Sequence, residues 1–189
     1  MRQRKAILKG LSDPLPNLYL VGFMGTGKSS IGRRLAERLK MKFIDSDSEI
    51  EKAQGMSIKE IFSKFGEEKF REMEREFIES GHPANGCVVS CGGGLVCREG
   101  MPELVKNMGI SVVLFAEPEV IFKRVCLSKN RPLLNVPDPL GRMRELLDSR
   151  RDFYMKSGIC VSSSGNVEDV EERIARIYLD RVKKMRKSK

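Results

Sequence analysis

Residues 17–30 read NLYLVGFMGTGKSS, and the order of residue types in this stretch decides the fold. Asn17 to Gly22 is a short apolar run that follows Pro14 and Pro16, with the length and composition of a buried strand. The next residues, Gly22 to Ser29, satisfy the pattern G-x-x-x-x-G-K-[ST]. Glycines let a backbone wrap closely round phosphate groups with its N–H groups turned inward. From Lys28 the pattern changes again: Ile31, Leu35 and Leu39 recur every four residues, which predicts a helix over 28–39. That helix points its positive end at the loop. Strand, loop and helix in immediate succession predict a site for the phosphates of a nucleotide. Lys28, expected at an exposed loop end, would reach the β- and γ-phosphates, and the Ser29 hydroxyl would ligate Mg²⁺.

Working outward, further apolar runs at 42–45, 87–90, 111–115 and 158–161 predict four more strands. Helical patterns fall between them. Ser57 with Glu60 forms a capping box for a helix over 57–65, and a highly charged helix follows over 67–80 with Phe70 and Phe77 turned inward. Others are expected at 117–127, 139–155 and 167–182. Strands alternating with helices predict a single α/β domain of three layers, α/β/α, around a five-stranded parallel sheet. The expected boundaries are a basic extension over 1–16, the domain over 17–182 and a basic tail over 183–189.

The net charge of +9 invites a nucleic-acid reading, but its placement argues otherwise. Residues 17–180 balance 25 basic against 25 acidic side chains, so the excess belongs to the two ends. A basic groove across the domain is not indicated, and no nucleic-acid partner is expected. No run approaches the roughly 18–20 apolar residues of a membrane helix, and the basic first fifteen residues lack the apolar core of a secretory signal. Five cysteines without a CxxC pair argue against a disulfide framework and a zinc site. The expectation is a cytoplasmic monomer without a membrane partner.

Asp45-Ser46-Asp47 follows the second strand, at the carboxyl edge where open α/β sheets place ligands. Alternation along an extended segment would send both carboxylates the same way, one to support Mg²⁺ through water and the other to take a proton from an attacking hydroxyl. A helix cap at Asp47 or Ser48 is the structural alternative. Arg71 and Arg75 lie on the charged helix, where Glu67, Glu68, Lys69 and Glu72 read as a solvated face laced with i,i+4 pairs. Cys91-Gly92-Gly93-Gly94 exposes bare backbone at a strand end, with Cys91 read as a small buried filler. Arg131, in a stretch that carries Pro132, Pro137 and Pro139, is expected on a mobile lid over about 128–140 that folds across the phosphates.

Together these pieces resemble the shikimate kinase family over roughly residues 17–180. The marks are GFMGTGKSS, FIDSDSEIE, FREMEREFI, VVSCGGG, NRPLL and the spacing Arg150-x-x-x-Tyr154, in the family's order. The resemblance implies a P-loop kinase that moves the γ-phosphoryl group of ATP to the 3-hydroxyl of shikimate. It further implies that Gly25, Thr26, Gly27, Lys28, Ser29 and Ser30 cradle the ATP phosphates, with Ser29 on Mg²⁺ and Asp45 behind it through water. Asp47 would bind the ring hydroxyls and act as base. Arg71 and Arg150 would clamp the carboxylate, while Gly93 and Gly94 would offer backbone N–H groups. Arg131 would be the lid arginine, Arg124 would lie against the adenine, and Phe62 and Phe70 would wall the acceptor pocket. Two departures stand out. Arg151 lies beside Arg150 and competes for its role, the spacing to Tyr154 favouring Arg150, and the loop SSSGN at 162–166 only loosely fits the family's adenine loop. Another small-metabolite P-loop kinase, such as a gluconate kinase, and a nucleic-acid-binding or regulatory P-loop protein share parts of the pattern.

Overall fold

The computed structural model describes residues 14–126 and 136–187. Strand β1 (Leu18–Val21) is buried along its whole length, as an unbroken apolar run must be in a sheet covered on both faces. It leads through the glycine-rich loop into helix α1 (Lys28–Leu39), then β2 (Lys42–Asp45), α2 (Ser46–Gln54) and α3 (Ile58–Ser80). There follow β3 (Cys87–Ser90), α4 (Met101–Met108), β4 (Ile110–Phe115), α5 (Pro118–Cys126), α6 (Pro139–Ser157), β5 (Ile159–Ser162) and α7 (Val167–Lys187). The five strands pair in the order β2-β3-β1-β4-β5, all parallel, so the expected sheet and three-layer architecture are observed.

The period of two along β1 divides the core. Leu18 and Leu20 join Ile31, Leu35 and Leu39 of α1 and Val170, Ile174 and Tyr178 of α7 on one face. Tyr19 and Val21 face the other way, toward Phe70 and Phe77 of α3, Val105 of α4 and Ile121 of α5. β1 and β3 are therefore neighbours whose following helices, α1 and α4, lie on opposite faces of the sheet. That divergence opens a crevice at the carboxyl edge, the place where a ligand fits in such sheets.

Several boundaries differ from expectation for definable reasons. The capping box of Ser57 and Glu60 is present, and the two helices expected at 57–65 and 67–80 form one span broken at Gly66 (φ 80°, ψ 173°), a conformation only glycine adopts easily. Helix α7 continues through the basic residues to Lys187, so 183–187 prolong a helix whose apolar stripe reaches Val182. At the other end the Pro16 carbonyl accepts from the Tyr178 hydroxyl at 2.7 Å, and the Leu15 carbonyl accepts from the Gly86 N–H, which ties part of the expected extension to the domain. Of the expected lid, 128–135 lie outside the described residues, and Pro139 and Leu140 belong to α6, which Asp138 caps. No helix among the described residues is long and apolar enough to cross a membrane.

Asn17 shows how a side chain can hold the sheet. It is fully buried; its amide donates to the Pro83 carbonyl at 2.8 Å and its carbonyl accepts from the Cys87 N–H at 2.9 Å, stitching the start of β1 to the start of β3. Replacing it with alanine strands both backbone groups. Asn17→Ala is expected to lose about 1–3 kcal/mol of stability, read as a lower urea midpoint with an unchanged slope.

Candidate active site

The phosphate loop is held in shape by its own carbonyls. Gly22, Gly25 and Gly27 all take positive φ (138°, 74° and 91°), backbone turns of the kind that let a loop present N–H groups to an anion. At Gly22 a Cβ would stand 2.2 Å from the Leu114 carbonyl oxygen, so the loop can lie this close to β4 only without a side chain. The outward carbonyls need donors, and Lys28 supplies them: its Nζ donates to Gly22 O at 2.8 Å and Phe23 O at 2.9 Å. Lys28 is only 8% exposed, which corrects the expectation of an exposed loop end. The Thr26 hydroxyl also donates to Phe23 O, so its one O–H is used within the loop.

At the end of β2 the two carboxylates do not alternate along one extended segment. The strand stops at Asp45, whose side chain caps α2 by accepting from the Ser48 N–H, and Asp47 already sits in the first helical turn. The cap is Asp45, not Asp47 or Ser48. Both carboxylates nevertheless line one cavity of about 270 Å³ with Gly25, Lys28, Ser29 and Gly93. Ser29 Oγ donates to Asp45 Oδ2 at 2.9 Å and lies 3.1 Å from Ser90 Oγ. Ser46 Oγ accepts from the Gly92 N–H at 2.8 Å and reaches Asp47. Burial, with the Asp45 charge beside it, raises the Asp47 carboxyl above its ordinary value. The donor set of hydroxyl and carboxylate oxygens suits Mg²⁺ held partly through water and substrate phosphates, since among the described residues no group of three metal-ligating side chains gathers.

The acceptor side is built on α3. Arg71 is 12% exposed; its Nη1 donates to Glu74 at 2.7 Å and its Nη2 to Glu67 at 2.7 Å. The guanidinium lies against Gly94, where a Cβ would stand 2.7 Å from Nη1. Gly92 is similarly constrained, its Cβ position being 2.4 Å from Asp47 Oδ1 and 3.0 Å from Glu74 Oε1. Gly93 packs on Met24 of the phosphate loop, and its carbonyl accepts from the Tyr154 hydroxyl at 2.5 Å. The triple glycine is thus the strip across which the two halves of the crevice meet. Arg150 is half-buried and stands 6.0 Å from the Phe23 ring centroid, whereas Arg151 is exposed and lines a cleft with Phe115 and Met155. Phe62 and Phe70 pack together at 4.8 Å between centroids. Arg124 donates to the Ser163 carbonyl at 2.7 Å and to Gly25 O at 3.5 Å, linking the 162–166 loop to the phosphate loop. Arg131 lies outside the described residues. Arg75 points away, pairing with Glu79 on an exposed face.

Three residues were not singled out from the sequence. Glu74 is buried, and desolvation pushes its carboxyl up to about 7 despite the adjacent Arg71. The signal was available: Phe70, Met73, Phe77 and Ile78 define the buried stripe of α3, and Glu74 falls within it. Ser90 and Ser46 carry no comparable mark, since each acts through a neighbour brought close only by the fold. Cys91 is the buried filler expected, its thiol raised by desolvation.

The family model described as shikimate kinase matches residues 24–183. A shikimate kinase of Thermodesulfovibrio yellowstonii is 44% identical over 165 residues, 87% of this chain and 95% of that protein. Among solved structures, shikimate kinase from Acinetobacter baumannii in complex with shikimate superposes with a TM-score of 0.82 at 36% identity, covering 94% of this chain and 98% of its own. A gluconokinase from Sinorhizobium meliloti gives 0.61 at 17% identity, with 88% and 93% covered, a likeness of fold alone.

The two raised carboxyls make a titration prediction. A carboxyl with a raised folded-state pKa binds its proton more tightly than in the unfolded chain, so its contribution is full at low pH and is lost as pH rises. For Glu74 the window runs from the ordinary value of 4.5 to about 7. Wild type should therefore lose stability relative to Glu74→Gln as pH rises through that window. In carboxyl-carbon NMR titrations, Asp45→Asn should move the Asp47 midpoint back down, and an unmoved midpoint would refute the charge effect.

Proposed function

This chain belongs to the shikimate kinase family, and we propose how its residues divide the transfer of the γ-phosphoryl group of ATP to the 3-hydroxyl of shikimate. The family makes it an ATP-dependent kinase with an alcohol acceptor, yielding shikimate 3-phosphate and ADP. The backbone of Gly25 to Ser30 holds the phosphates, and Lys28 exchanges part of its grip on the loop carbonyls for the β- and γ-phosphate oxygens. Ser29, oriented by Asp45 and Ser90, would hold Mg²⁺. The ion would neutralise charge on the phosphate oxygens. Arg124 flanks the adenine, and Arg131 supplies positive charge to the transferring group.

Asp47 takes the proton of the 3-hydroxyl. Its raised pKa suits that task, because a more basic carboxylate accepts a proton more readily at the moment of attack. Arg71 and Arg150 clamp the acceptor's carboxylate, since planar guanidinium forks match it better than ammonium groups. The observation that carries this division is the strip of three glycines, with Arg71 over Gly94, Asp47 at Gly92 and the phosphate loop at Gly93. It gathers a guanidinium, a carboxyl and the phosphate loop along one strip of backbone, which supports this division. The proposal includes action as a cytoplasmic monomer.

Two experiments test it. ADP release by the purified protein with MgATP should depend on added shikimate, and Lys28→Ala should abolish most of it while the far-ultraviolet circular dichroism stays native. Near-wild-type turnover in that variant would sink the phosphate assignment. Second, Arg71→Ala and Arg150→Ala should each raise the KM for shikimate by more than about tenfold and leave that for ATP nearly unchanged. Losing one partner of a desolvated charge pair costs about 2–5 kcal/mol. The same response in Arg151→Ala but not Arg150→Ala would reverse the assignment within the pair.

A further inference from the structure

Arg71 has five N–H donors, and the surrounding side chains take three of them in a definite pattern. Nε and Nη2 both donate to Glu67 Oε1, at 3.2 and 2.7 Å, so Glu67 fills the side-on fork. Nη1 donates to Glu74 Oε2 at 2.7 Å. Among the described residues this leaves one N–H on each terminal nitrogen, the number a single carboxylate takes in bidentate contact. Two glutamates thus limit which N–H groups the guanidinium can offer. Glu74 is buried and fixed by packing. Glu67 is not: its side chain is 61% exposed while Arg71 is 12% exposed, so its place needs another explanation.

That explanation lies in the backbone. Glu67 is the first residue after the break at Gly66. Its neighbour Glu68 is anchored in a two-bond ion pair by Arg98, which follows the triple glycine: Nη1 to Oε1 at 2.6 Å and Nη2 to Oε2 at 2.7 Å. The start of the second helical segment is therefore pinned to the strip that carries Gly94, and Glu67 is held one turn before Arg71. An exposed i,i+4 ion pair ordinarily adds only about 0.3–0.5 kcal/mol to a helix. Stability gives little reason for the arrangement, whereas orientation of Arg71 does.

We propose that Glu67 is a positioning residue that determines specificity for a carboxylate-bearing acceptor, by occupying the side-on fork of Arg71 and turning the remaining N–H pair toward the substrate. The inference rests on the carboxylate role of Arg71 given above. Without Glu67 the guanidinium rotates about its last bonds and its N–H pair loses its fixed aim, so acceptor binding weakens while the chemistry of transfer continues at saturation.

The test is steady-state kinetics on the full chain. Glu67→Ala should raise the KM for shikimate about five- to twentyfold, the range expected for one coupled contact, with kcat and the KM for ATP within about twofold. Glu67→Gln keeps the Oε1 acceptor and should recover most of the loss, which a role as mere charge would not allow. In an Arg71→Ala background, Glu67→Ala should add nothing. A shikimate KM that is unchanged or lower in Glu67→Ala overturns the inference, the lower value meaning that Glu67 competes with the acceptor for Arg71. If Arg71→Ala raises the KM and Glu67→Ala does not, only this inference falls. An unaltered KM in Arg71→Ala overturns it together with the carboxylate assignment.

Discussion

The carbonyl oxygen of Phe23 receives the Lys28 ammonium and the Thr26 hydroxyl, and the phosphate loop depends on that convergence. A loop that turns its N–H groups toward an anion must turn carbonyls the other way, and a buried carbonyl without a donor is costly. The side chain that recognises phosphate is therefore also the one that stabilises the empty loop. Binding a nucleotide redistributes an existing set of hydrogen bonds around Lys28, so its charge is never left without compensation in the low-dielectric crevice. The same economy explains the glycines, because a Cβ at Gly22 or Gly25 would collide with β4 or α5 before any ligand arrived.

Across the crevice the constraint is electrostatic. Asp47, Glu74 and Arg71 are brought together with little water around them, and each changes what its neighbours can hold. Burial raises both carboxyls, while Arg71 opposes that rise at Glu74. A buried arginine paired with a buried glutamate is a poor device for stability, since desolvating Arg71 and Glu74 offsets much of their attraction. It is a good device for orientation. The arrangement favours a site whose binding groups stand in place before the substrate enters.

Much of this was legible in the sequence because local patterns and tertiary structure agree. The phosphate loop, the capping box at Ser57 and the apolar stripes of α1 and α7 follow short-range rules that the fold has no reason to override. Short elements were less legible. Helix α4, eight residues long with Pro102 near its start, offers too few turns for a periodic pattern. The start of α2 at Ser46 was hidden because Asp-Ser-Asp suits an extended segment and a capped helix equally well. Position within a stripe was the underused signal: Glu74 and Glu171 both fall among apolar neighbours, and both prove buried against arginines. Asn17 and Ser90 hold the fold through residues distant in sequence, which no local rule reaches.

The partnership of α1 with α7 has a consequence for the making of the protein. Helix α1 carries Lys28 and Ser29, yet its buried face packs on α7, and Arg34 and Arg38 of α1 both bond to Glu171. The β1 strand likewise lies between β3 and β4 rather than beside β2. A chain emerging from the ribosome from its N-terminus therefore exposes its nucleotide-binding segment before β3, β4 and α7, the elements against which that segment is seated. Such non-local closure slows folding and prolongs the exposure of apolar strands. The nascent chain carries its phosphate loop long before it owns the helix that supports it, and chaperone demand should concentrate in that interval.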